Sequence, residues 1–402
     1  MRKKKSLLLI AALLLIAVLM IGLALLVSSV ETSYPTFETG VQEIQKYGNI
    51  VLDVEPEKLQ EAGYAYGDIL TVTMDEKTWQ IPFCTNYSDV ESGSYVACDK
   101  DEGLILAINM GDFATDGGIA EKITAEDKSF TWVFPDGRNL EDFVFSISMG
   151  EKGGYHDQYL IHQLVRTNDR ADYDSDQIFA NFRNIAAGDL GENALFRSSN
   201  PINNELNRAA YADDFVESNG IRTVMNLANS DADIAGYIAQ EDFDSPYYAS
   251  LYQAGQVKAL NLSLDFAAED FQNGLAEGLR FFIANEGPYL VHCDEGKDRA
   301  GFVSALLACY MGASYDQVVE DYMQTYINYY HLEKDSEQYM AVKNSNIDST
   351  LRMITGSSDD TDLAGEDLAA AAKRYMKKLG LSDAECEALR SNLAKEYEKN
   401  RA

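Results

Sequence analysis

Cysteine, histidine and basic residues are all scarce in this chain of 402 residues. The cysteines number five, which is few and odd, so the chain is not a disulfide scaffold. Lys and Arg together number 33 against 65 Asp and Glu, which gives a formal net charge of −32. This balance argues against nucleic-acid binding, because attraction to phosphates requires a basic face.

Apolar residues are abundant by contrast, with 46% hydrophobic and 11% aromatic residues. This composition is far too apolar for a disordered chain. The length accommodates two domains of ordinary size. We therefore expect folded domains with real hydrophobic cores.

The longest uncharged run, residues 6–30, directly follows the basic residues 2–5. It is long enough to cross a bilayer as one helix, whereas the apolar core of a signal peptide is usually about 7 to 15 residues long. We therefore expect residues 1–30 to be an uncleaved signal anchor, with cleavage near Ser28 or Ser29 and secretion as the alternative. The basic flank should stay in the cytoplasm, which places the rest of the chain outside.

Residues 40–150 alternate apolar and polar side chains in short runs separated by Gly and Asp. This pattern predicts a small antiparallel β domain. Cys84 and Cys98 both fall within it, and either a disulfide or two separate structural thiols would fit. Residues 151–175 are polar and predict a last hairpin and a linker. His156 and His162 have no acidic partner there at metal-ligand spacing, so no metal site is expected.

Three segments of this β domain, at residues 47–54, 85–93 and 103–114, resemble the C-terminal β-barrel domain of the S-adenosylmethionine hydroxide adenosyltransferase and halogenase family. In that family the barrel works together with an N-terminal α/β domain. Here the apolar run precedes the barrel almost directly. The resemblance therefore implies a recognition or spacer module and not adenosyl chemistry.

From residue 176 to residue 400 the pattern changes to alternating strands and helices. Apolar runs predict strands at 221–227, 257–264 and 289–292, and amphipathic runs predict helices at 203–218, 269–285 and 299–311. Two further helices are expected to begin at Ser314 and Ser382, each with the Gln or Glu of a capping box three residues on. This rhythm is typical of an α/β domain with a mostly parallel sheet.

The chemistry is concentrated in LVHCDEGKDRAGFVSALLACYMG, residues 290–312, where a strand leads through a loop into an apolar helix. A loop of this length turns successive amides inward and makes a nest for an oxyanion at a helix N-terminus, with Gly296 relieving the tight turn. The same amides favour a thiolate, so Cys293 is expected to have a lowered pKa and to act as nucleophile. Arg299 can clamp two phosphoryl oxygens at once. Together these groups predict phosphomonoester cleavage through a phosphocysteine.

This loop resembles that of the protein tyrosine phosphatase superfamily, specifically the bacterial branch whose loop reads HC, two residues, then GKDR. Further resemblance extends over residues 176–398 and is carried by the segments at 179–186, 194–201, 220–227 and 378–393. It implies a tyrosine or dual-specificity phosphatase that needs no cofactor and no metal, and the expected signal anchor places this enzyme outside the cytoplasm. The substrate would contact the loop residues Asp294, Glu295, Gly296, Lys297 and Ala300.

A leaving alkoxide or phenoxide needs a proton from a general acid. In related dual-specificity phosphatases an Asp follows the strand two elements before the loop, which selects Asp265 here, with Asp270 one helical turn further on. Asp298 is the alternative, because the GKDR branch carries an acid at that place. Asp231 and Asp233 come third. Any of these residues could instead cap a helix or lie in a solvated turn.

The sequence departs from the family pattern at three places. Ala300 replaces the usual hydroxyl residue, which normally helps the sulfur to leave, so turnover is expected to be slow. Asn226 begins an Asn-Leu-Ala run where this branch often has Asp-Leu-Arg. Asp294 and Glu295 make the rim of the loop acidic, with Lys297 as the only compensating charge, so a singly phosphorylated substrate is expected to fit better than a polyanion.

Two other functions remain compatible with the sequence. Lipid phosphatases share this loop, so a phosphoinositide or another sugar phosphate is the chief alternative substrate. A pseudophosphatase that holds a phosphorylated ligand without turnover is favoured by Ala300 alone. Intact Cys293 and Arg299 argue against that second alternative.

Overall fold

The computed structural model describes residues 33–398. The chain divides into two compact units, with the boundary after Tyr159. The expected signal anchor, residues 1–30, lies outside the described residues. Within residues 33–398, no helix combines the length and the apolar character needed to span a membrane.

The first unit contains ten strands. In chain order these are β1 (Phe37–Thr39), β2 (Val41–Ile44), β3 (Ile50–Leu52), β4 (Ile69–Met74), β5 (Lys77–Cys84), β6 (Tyr95–Lys100), β7 (Gly103–Ile108), β8 (Glu121–Thr124), β9 (Phe130–Val133) and β10 (Phe145–Glu151). Two short helices, α1 (Pro56–Glu61) and α2 (Phe113–Asp116), connect them. Strand β4 shows the alternation that predicts strands, because Leu70, Val72 and Met74 are buried while the residues between them are partly exposed.

Eight of these strands form one sheet in the order β1-β10-β4-β5-β6-β7-β3-β2, and β8 pairs with β9 in a separate ribbon. All neighbours in the large sheet are antiparallel except β5 and β6, which are parallel. The two edge strands β1 and β2 are separated in sequence by Gly40 alone, so the edges lie side by side and the sheet curls into a barrel. The predicted barrel-like β domain is confirmed.

Cys84 and Cys98 occupy paired positions on β5 and β6, and both are free and buried. Burial raises the pKa of the Cys98 thiol to about 12, which makes it unreactive. Of the two alternatives open from the sequence, the structure contains separate thiols.

The prediction of a hairpin within residues 151–175 is wrong. Strand β10 ends at Glu151, but the next segment forms helix α3 (His156–His162) instead of a returning strand. Its apolar residues Tyr159, Leu160 and Ile161 are consecutive, which is not the alternation of a half-buried strand.

The second unit contains a five-stranded sheet. Its strands are β11 (Arg183–Asn184), β12 (Leu195–Ser198), β13 (Thr223–Asn226), β14 (Val257–Ala259) and β15 (Tyr289–His292). The order is β11-β12-β15-β13-β14, with β11 antiparallel to β12 and all other neighbours parallel. The predicted α/β domain with a mostly parallel sheet is confirmed.

Helices cover both faces of this sheet. They are α4 (Asp176–Phe179), α5 (Ala209–Ser218), α6 (Asp231–Ile238), α7 (Pro246–Gln253), α8 (Glu269–Ala284), α9 (Asp298–Tyr310), α10 (Tyr315–Tyr330), α11 (Glu337–Val342), α12 (Ser349–Thr355), α13 (Leu368–Lys378) and α14 (Asp383–Leu393), with one π-helical stretch at Lys343–Asp348. Alternate residues of a strand serve different cores: on β15, Leu290 packs into one hydrophobic cluster and Val291 into the other. The capping boxes predicted at Ser314 and Ser382 are both present.

Element boundaries differ from expectation in two places that affect the site. The strand predicted at 257–264 ends at Ala259, and residues 260–268 continue as a loop. The helix predicted from residue 203 begins at Ala209, because the Asn203 and Asn204 side chains accept hydrogen bonds from nearby amides that a helix would use. The loops after the carboxyl ends of β12, β13, β14 and β15 all meet at one edge of the sheet, where α/β proteins bind ligands.

Candidate active site

The loop between β15 and α9, residues 293–297, is the centre of this edge. Gly296 has a φ of 67°, and a Cβ atom there would lie 2.2 Å from the carbonyl oxygen of Ser198. Only glycine tolerates both the left-handed backbone and this close approach. The turn expected at Gly296 is therefore present.

Side chains behind the loop bind its carbonyl groups. Arg197, which is fully buried on β12, donates to the Gly296 oxygen at 2.6 Å and to the Lys297 oxygen at 3.1 Å. Tyr329 and Asn181 donate to the Glu295 oxygen at 2.8 and 3.2 Å. Because N–H and C=O of a peptide point in opposite directions, these contacts turn the loop amides toward its concave side, as an anion nest requires.

Asp321 on α10 holds these supports in place. Its two carboxylate oxygens accept hydrogen bonds from Arg183 and Arg197, each at 2.8 Å. The two guanidinium groups lower the pKa of Asp321 despite the burial that opposes ionisation. The segments at 179–186 and 194–201 contribute the two arginines, but no local pattern marks Asp321, so sequence reasoning missed it.

Cys293 lies at the base of the loop and is 3% exposed. The Ala300 amide donates a hydrogen bond to its sulfur, and both this bond and the Arg299 charge favour the thiolate. Burial nevertheless raises the pKa of Cys293 above its ordinary value, and the carboxylates of Asp298 and Asp294 add to the rise. The prediction of a lowered pKa is therefore wrong, because it considered the amides and the helix dipole but not burial beside two carboxylates.

His292 fixes the strand end before the nucleophile. Its Nε2 lies 3.0 Å from the Tyr248 hydroxyl, which itself accepts a hydrogen bond from Asn226 at 2.9 Å. Burial lowers the pKa of His292 to about 3, so the ring is neutral. The Tyr248 hydrogen is then directed to Nε2, and the Nδ1 hydrogen faces the Cys293 carbonyl at 3.4 Å. Asn226, which departs from the family pattern, is thus part of an uncharged network.

Arg299 extends from the first turn of α9 across the mouth of the loop. Its Nη1 donates to the Leu262 carbonyl at 2.9 Å, and its Nη2 contacts the Asp294 carboxylate at 2.5 Å. The Arg299 side chain is 13% exposed and that of Asp294 is 45% exposed. Both terminal nitrogens of the guanidinium are therefore bound by protein groups, while Nε has no partner among the described residues.

Glu295 and Lys297 form a separate charge cluster. The Glu295 carboxylate pairs with Arg166 and lies 3.2 Å from the Lys297 ammonium. The Lys297 ammonium also lies over the rings of Tyr326 and Tyr330. The expectation that Lys297 alone compensates the acidic rim is wrong, because Arg166, far away in sequence, neutralises Glu295.

Asp298 begins α9 and lines a cavity of about 310 Å³. Its side chain is 39% exposed, yet the surrounding protein raises the pKa of this carboxyl. Leu264, Phe266 and Met353 supply apolar lining, and the stretch 345–350 supplies hydroxyl and amide groups. Among the described residues that line this cavity, Asp298 alone carries a charge.

The other acidic candidates form hydrogen bonds with nearby turns, with a helix start or with a tyrosine hydroxyl. Asp265 is exposed and accepts a hydrogen bond from the Ala267 amide at 3.0 Å. Asp233 closes the capping box with Ser230 at the start of α6, which lowers the pKa of Asp233. Asp231 accepts a hydrogen bond from the Tyr252 hydroxyl at 3.1 Å. None of these three lines the cavity beside Asp298 in the part of the chain that the structure describes.

Metal ligands do not converge at this edge. Over residues 33–398, no group of three or more His, Cys, Asp or Glu side chains has an arrangement that could hold a metal ion.

Comparison with known protein families gives one matching family model in each unit. The model of the tyrosine phosphatase family matches residues 179–395, and that of the SAM hydroxide adenosyltransferase C-terminal domain matches residues 39–124. No curated protein matches the chain.

Two solved structures share limited similarity with the chain. One is an uncharacterized conserved protein from Thermotoga maritima, with 14% identity and a TM-score of 0.22, where the match covers 27% of this chain and 35% of that one. The other is the core catalytic domain of the PP-IP phosphatase SIW14 from S. cerevisiae in complex with citrate, with 17% identity, a TM-score of 0.25, and coverage of 44% of this chain and 91% of that one. The chain thus spans about a third of the length of the Thermotoga protein.

Proposed function

We propose that this chain uses a phosphocysteine mechanism and acts on singly phosphorylated substrates. The chain belongs to the tyrosine phosphatase family and is a phosphomonoester hydrolase. The amide nest around Cys293, with its carbonyls bound from behind by Arg197, is the observation that carries the mechanism. In it, the Cys293 thiolate attacks phosphorus, the P–O bond to the leaving group breaks, and water then cleaves the P–S bond and regenerates the thiolate. Phosphate is the product of the second step.

Arg299 and the loop amides stabilise the charge on the transferred phosphoryl group. The amides are fixed before the substrate arrives, so they need no reorganisation during reaction. The Arg299 fork can bind two phosphoryl oxygens once it leaves its contact with Asp294. The Arg299 charge and the Ala300 amide both favour the thiolate that attacks.

Asp298 is the general acid in this proposal, in place of Asp265. A general acid must lie beside the leaving oxygen and be protonated in the working range. The raised pKa of Asp298 favours its protonated form, whereas Asp265 is exposed and accepts the Ala267 amide hydrogen bond. The leaving group would then occupy the cavity that Asp298 lines.

The lining of this cavity supports an uncharged leaving group. With Asp298 as the one charged residue described there, a second phosphate would meet no cation. The cavity is large enough to hold a tyrosyl side chain. We therefore favour a tyrosine or dual-specificity protein phosphatase over a phosphoinositide or sugar-phosphate phosphatase.

The substrate proposal is tested by assaying a phosphotyrosine peptide, a phosphoserine peptide and an inositol polyphosphate side by side with EDTA present. We expect the phosphotyrosine peptide to have the highest kcat/KM, with inhibition by orthovanadate. Preference for the inositol polyphosphate would contradict the proposed substrate class. A requirement for added divalent metal would contradict the mechanism.

Restoring the missing hydroxyl should accelerate turnover. Ala300 is fully buried and its amide contacts the Cys293 sulfur, so a hydroxyl on this residue could assist the departing thiolate. One such charge-assisted bond contributes about 1.5 to 3 kcal/mol, or roughly ten- to a hundredfold in rate. We expect wild-type enzyme to show a burst of product followed by a slow steady state in rapid mixing, and Ala300→Ser to raise the steady rate and shrink the burst.

Two results would contradict this prediction about Ala300. A wild-type time course without a burst would mean that the first step limits turnover. An Ala300→Ser enzyme that is no faster would mean that another donor already assists the sulfur.

We also propose that both units lie outside the cytoplasm, on the strength of the uncharged run behind residues 2–5. Protease added to intact cells should then remove the phosphatase unit while an N-terminal tag stays protected. Release into the medium without protease would favour cleavage near Ser28 or Ser29. Full protection of residues 176–400 in intact cells would refute the proposed location.

A further inference from the structure

Part of the Arg299 guanidinium is held by protein groups, while its Nε has no hydrogen-bond partner among the described residues. Its Nη2 lies 2.5 Å from Asp294 Oδ2, and its Nη1 lies 2.9 Å from the Leu262 carbonyl oxygen. The other Asp294 oxygen accepts a hydrogen bond from the Asn200 amide at 3.3 Å, and the Asn200 backbone amide donates to the Asp294 carbonyl at 3.0 Å. Asn200 therefore holds Asp294 in a position where its carboxylate faces the guanidinium.

A carboxylate and a phosphoryl group compete for the same donors. Both present two oxygens to the guanidinium fork, and Arg binds either of them through parallel N–H groups. The Arg299 Nε has no partner among the described residues, so a phosphoryl group that binds Nε and Nη2 together competes with Asp294 for Nη2 and favours its release. The release costs free energy that the substrate must supply from its own contacts with the loop.

We propose that Asp294 is a specificity-determining residue that competes with the phosphoryl group for Nη2 of Arg299 and disfavours substrates with more than one anionic group. The proposal rests on the proposed function of Cys293 and Arg299. The Asp294 side chain is 45% exposed, so after displacement it stays at the mouth of the loop as a carboxylate. A second phosphate beside the scissile one then meets this negative charge, whereas an uncharged leaving group does not.

Glu295 offers a matched control in the same loop. It carries the same charge as Asp294 and is the next residue. Its carboxylate is bound by Arg166 and Lys297 and, among the described side chains, forms no ion pair with Arg299. Asp294→Asn and Glu295→Gln therefore change the net charge equally. Only Asp294→Asn removes a competitor of the phosphoryl group.

The test measures binding of inorganic phosphate by calorimetry to three proteins: the full chain, Asp294→Asn and Glu295→Gln. The ion pair between Arg299 and Asp294 is partly exposed, so its free energy is modest. We therefore expect Asp294→Asn to lower the Kd for phosphate about tenfold. Glu295→Gln should change this Kd by a smaller factor, because the Glu295 carboxylate pairs with Arg166 and Lys297 and not with Arg299. Steady-state assays should show a lower KM for a phosphotyrosine peptide with Asp294→Asn, and a larger gain for a doubly phosphorylated peptide than for a singly phosphorylated one.

Three outcomes would overturn the role of Asp294. Equal effects of the two substitutions would show that loop charge acts in general, without competition at Arg299. An unchanged Kd in Asp294→Asn would show that the contact with Arg299 costs the substrate nothing. Weaker phosphate binding in Asp294→Asn would mean that Asp294 supports the fork. Failure of the proposed function looks different, because the unmodified chain would then neither bind phosphate nor hydrolyse the peptide.

Discussion

Replacement of Cys293 by Ser is expected to abolish turnover while leaving the oxyanion site able to bind. A serine hydroxyl is a far weaker nucleophile than a thiolate, and the adjacent His292 faces Tyr248 and the Cys293 carbonyl, so it does not act as a base for residue 293. Loss of a nucleophile costs roughly 10³-fold or more in kcat. Phosphatase assays with a phosphotyrosine peptide check the loss, and calorimetry with inorganic phosphate checks the remaining binding.

Cys309→Ser is the matched control for this experiment. Cys309 is a buried thiol on helix α9, which follows the loop that contains Cys293. It lies in the hydrophobic core and not in the loop. The same substitution there should preserve activity, and thermal unfolding should show that both variants are folded. Full activity in Cys293→Ser would sink the phosphocysteine mechanism. Loss of phosphate binding together with activity would point instead to a collapsed loop.

The sequence predicted the strand, the loop and the helix around Cys293 because these elements are local. The three segments are consecutive: the strand 289–292, the loop and the helix that follows. The turn at Gly296 is predictable because glycine adopts the positive φ that the turn requires. The capping boxes at Ser314 and Ser382 are equally local, since each is completed three residues further along the chain.

What the sequence could not predict depends on distant partners. Asp321 lies more than a hundred residues from the arginines it binds, and Arg166 lies as far from Glu295. The pKa of Cys293 is set by burial, which follows from the packing of the whole unit. No spacing rule contains that information. The prediction made from the loop alone therefore gave the wrong direction for the pKa shift of Cys293.

The choice of general acid shows the same limit. The resemblance to dual-specificity phosphatases favoured Asp265, because in them an Asp follows the strand two elements before the loop. The structure ends that strand at Ala259, and Asp265 binds the backbone amide of Ala267 in the following turn. Asp298 had the resemblance to the GKDR branch in its favour. The sequence did not predict its cavity, because the cavity forms only where residues 264–266 and 345–353 lie beside Asp298.

Asp298→Asn should therefore slow hydrolysis according to how strongly the leaving group needs a proton. For a phosphotyrosine or phosphoserine peptide, whose leaving oxygen is basic, we expect a loss of about 10² to 10⁴ in kcat. For an aryl phosphate with a strongly acidic phenol the loss should be small, because that phenoxide leaves without protonation. The fall of activity toward high pH should also weaken in the variant on peptide substrates, since wild-type Asp298 is active as an acid only while it is protonated, and the surrounding protein raises its pKa.

Asp265→Asn provides the discriminating comparison, because it removes one carboxylate from the same side of the sheet edge. If Asp298 is the acid, this variant should lose little activity on either substrate, apart from a small loss of stability from the broken turn contact with Ala267. If Asp265→Asn shows the leaving-group-dependent loss instead, Asp265 is the acid and moves into the site when substrate binds. If Asp298→Asn loses equally on both substrates, Asp298 supports the loop and donates no proton. The ratio of the two rates, measured for both variants in one buffer series, therefore separates a proton donor from a residue that only supports the loop.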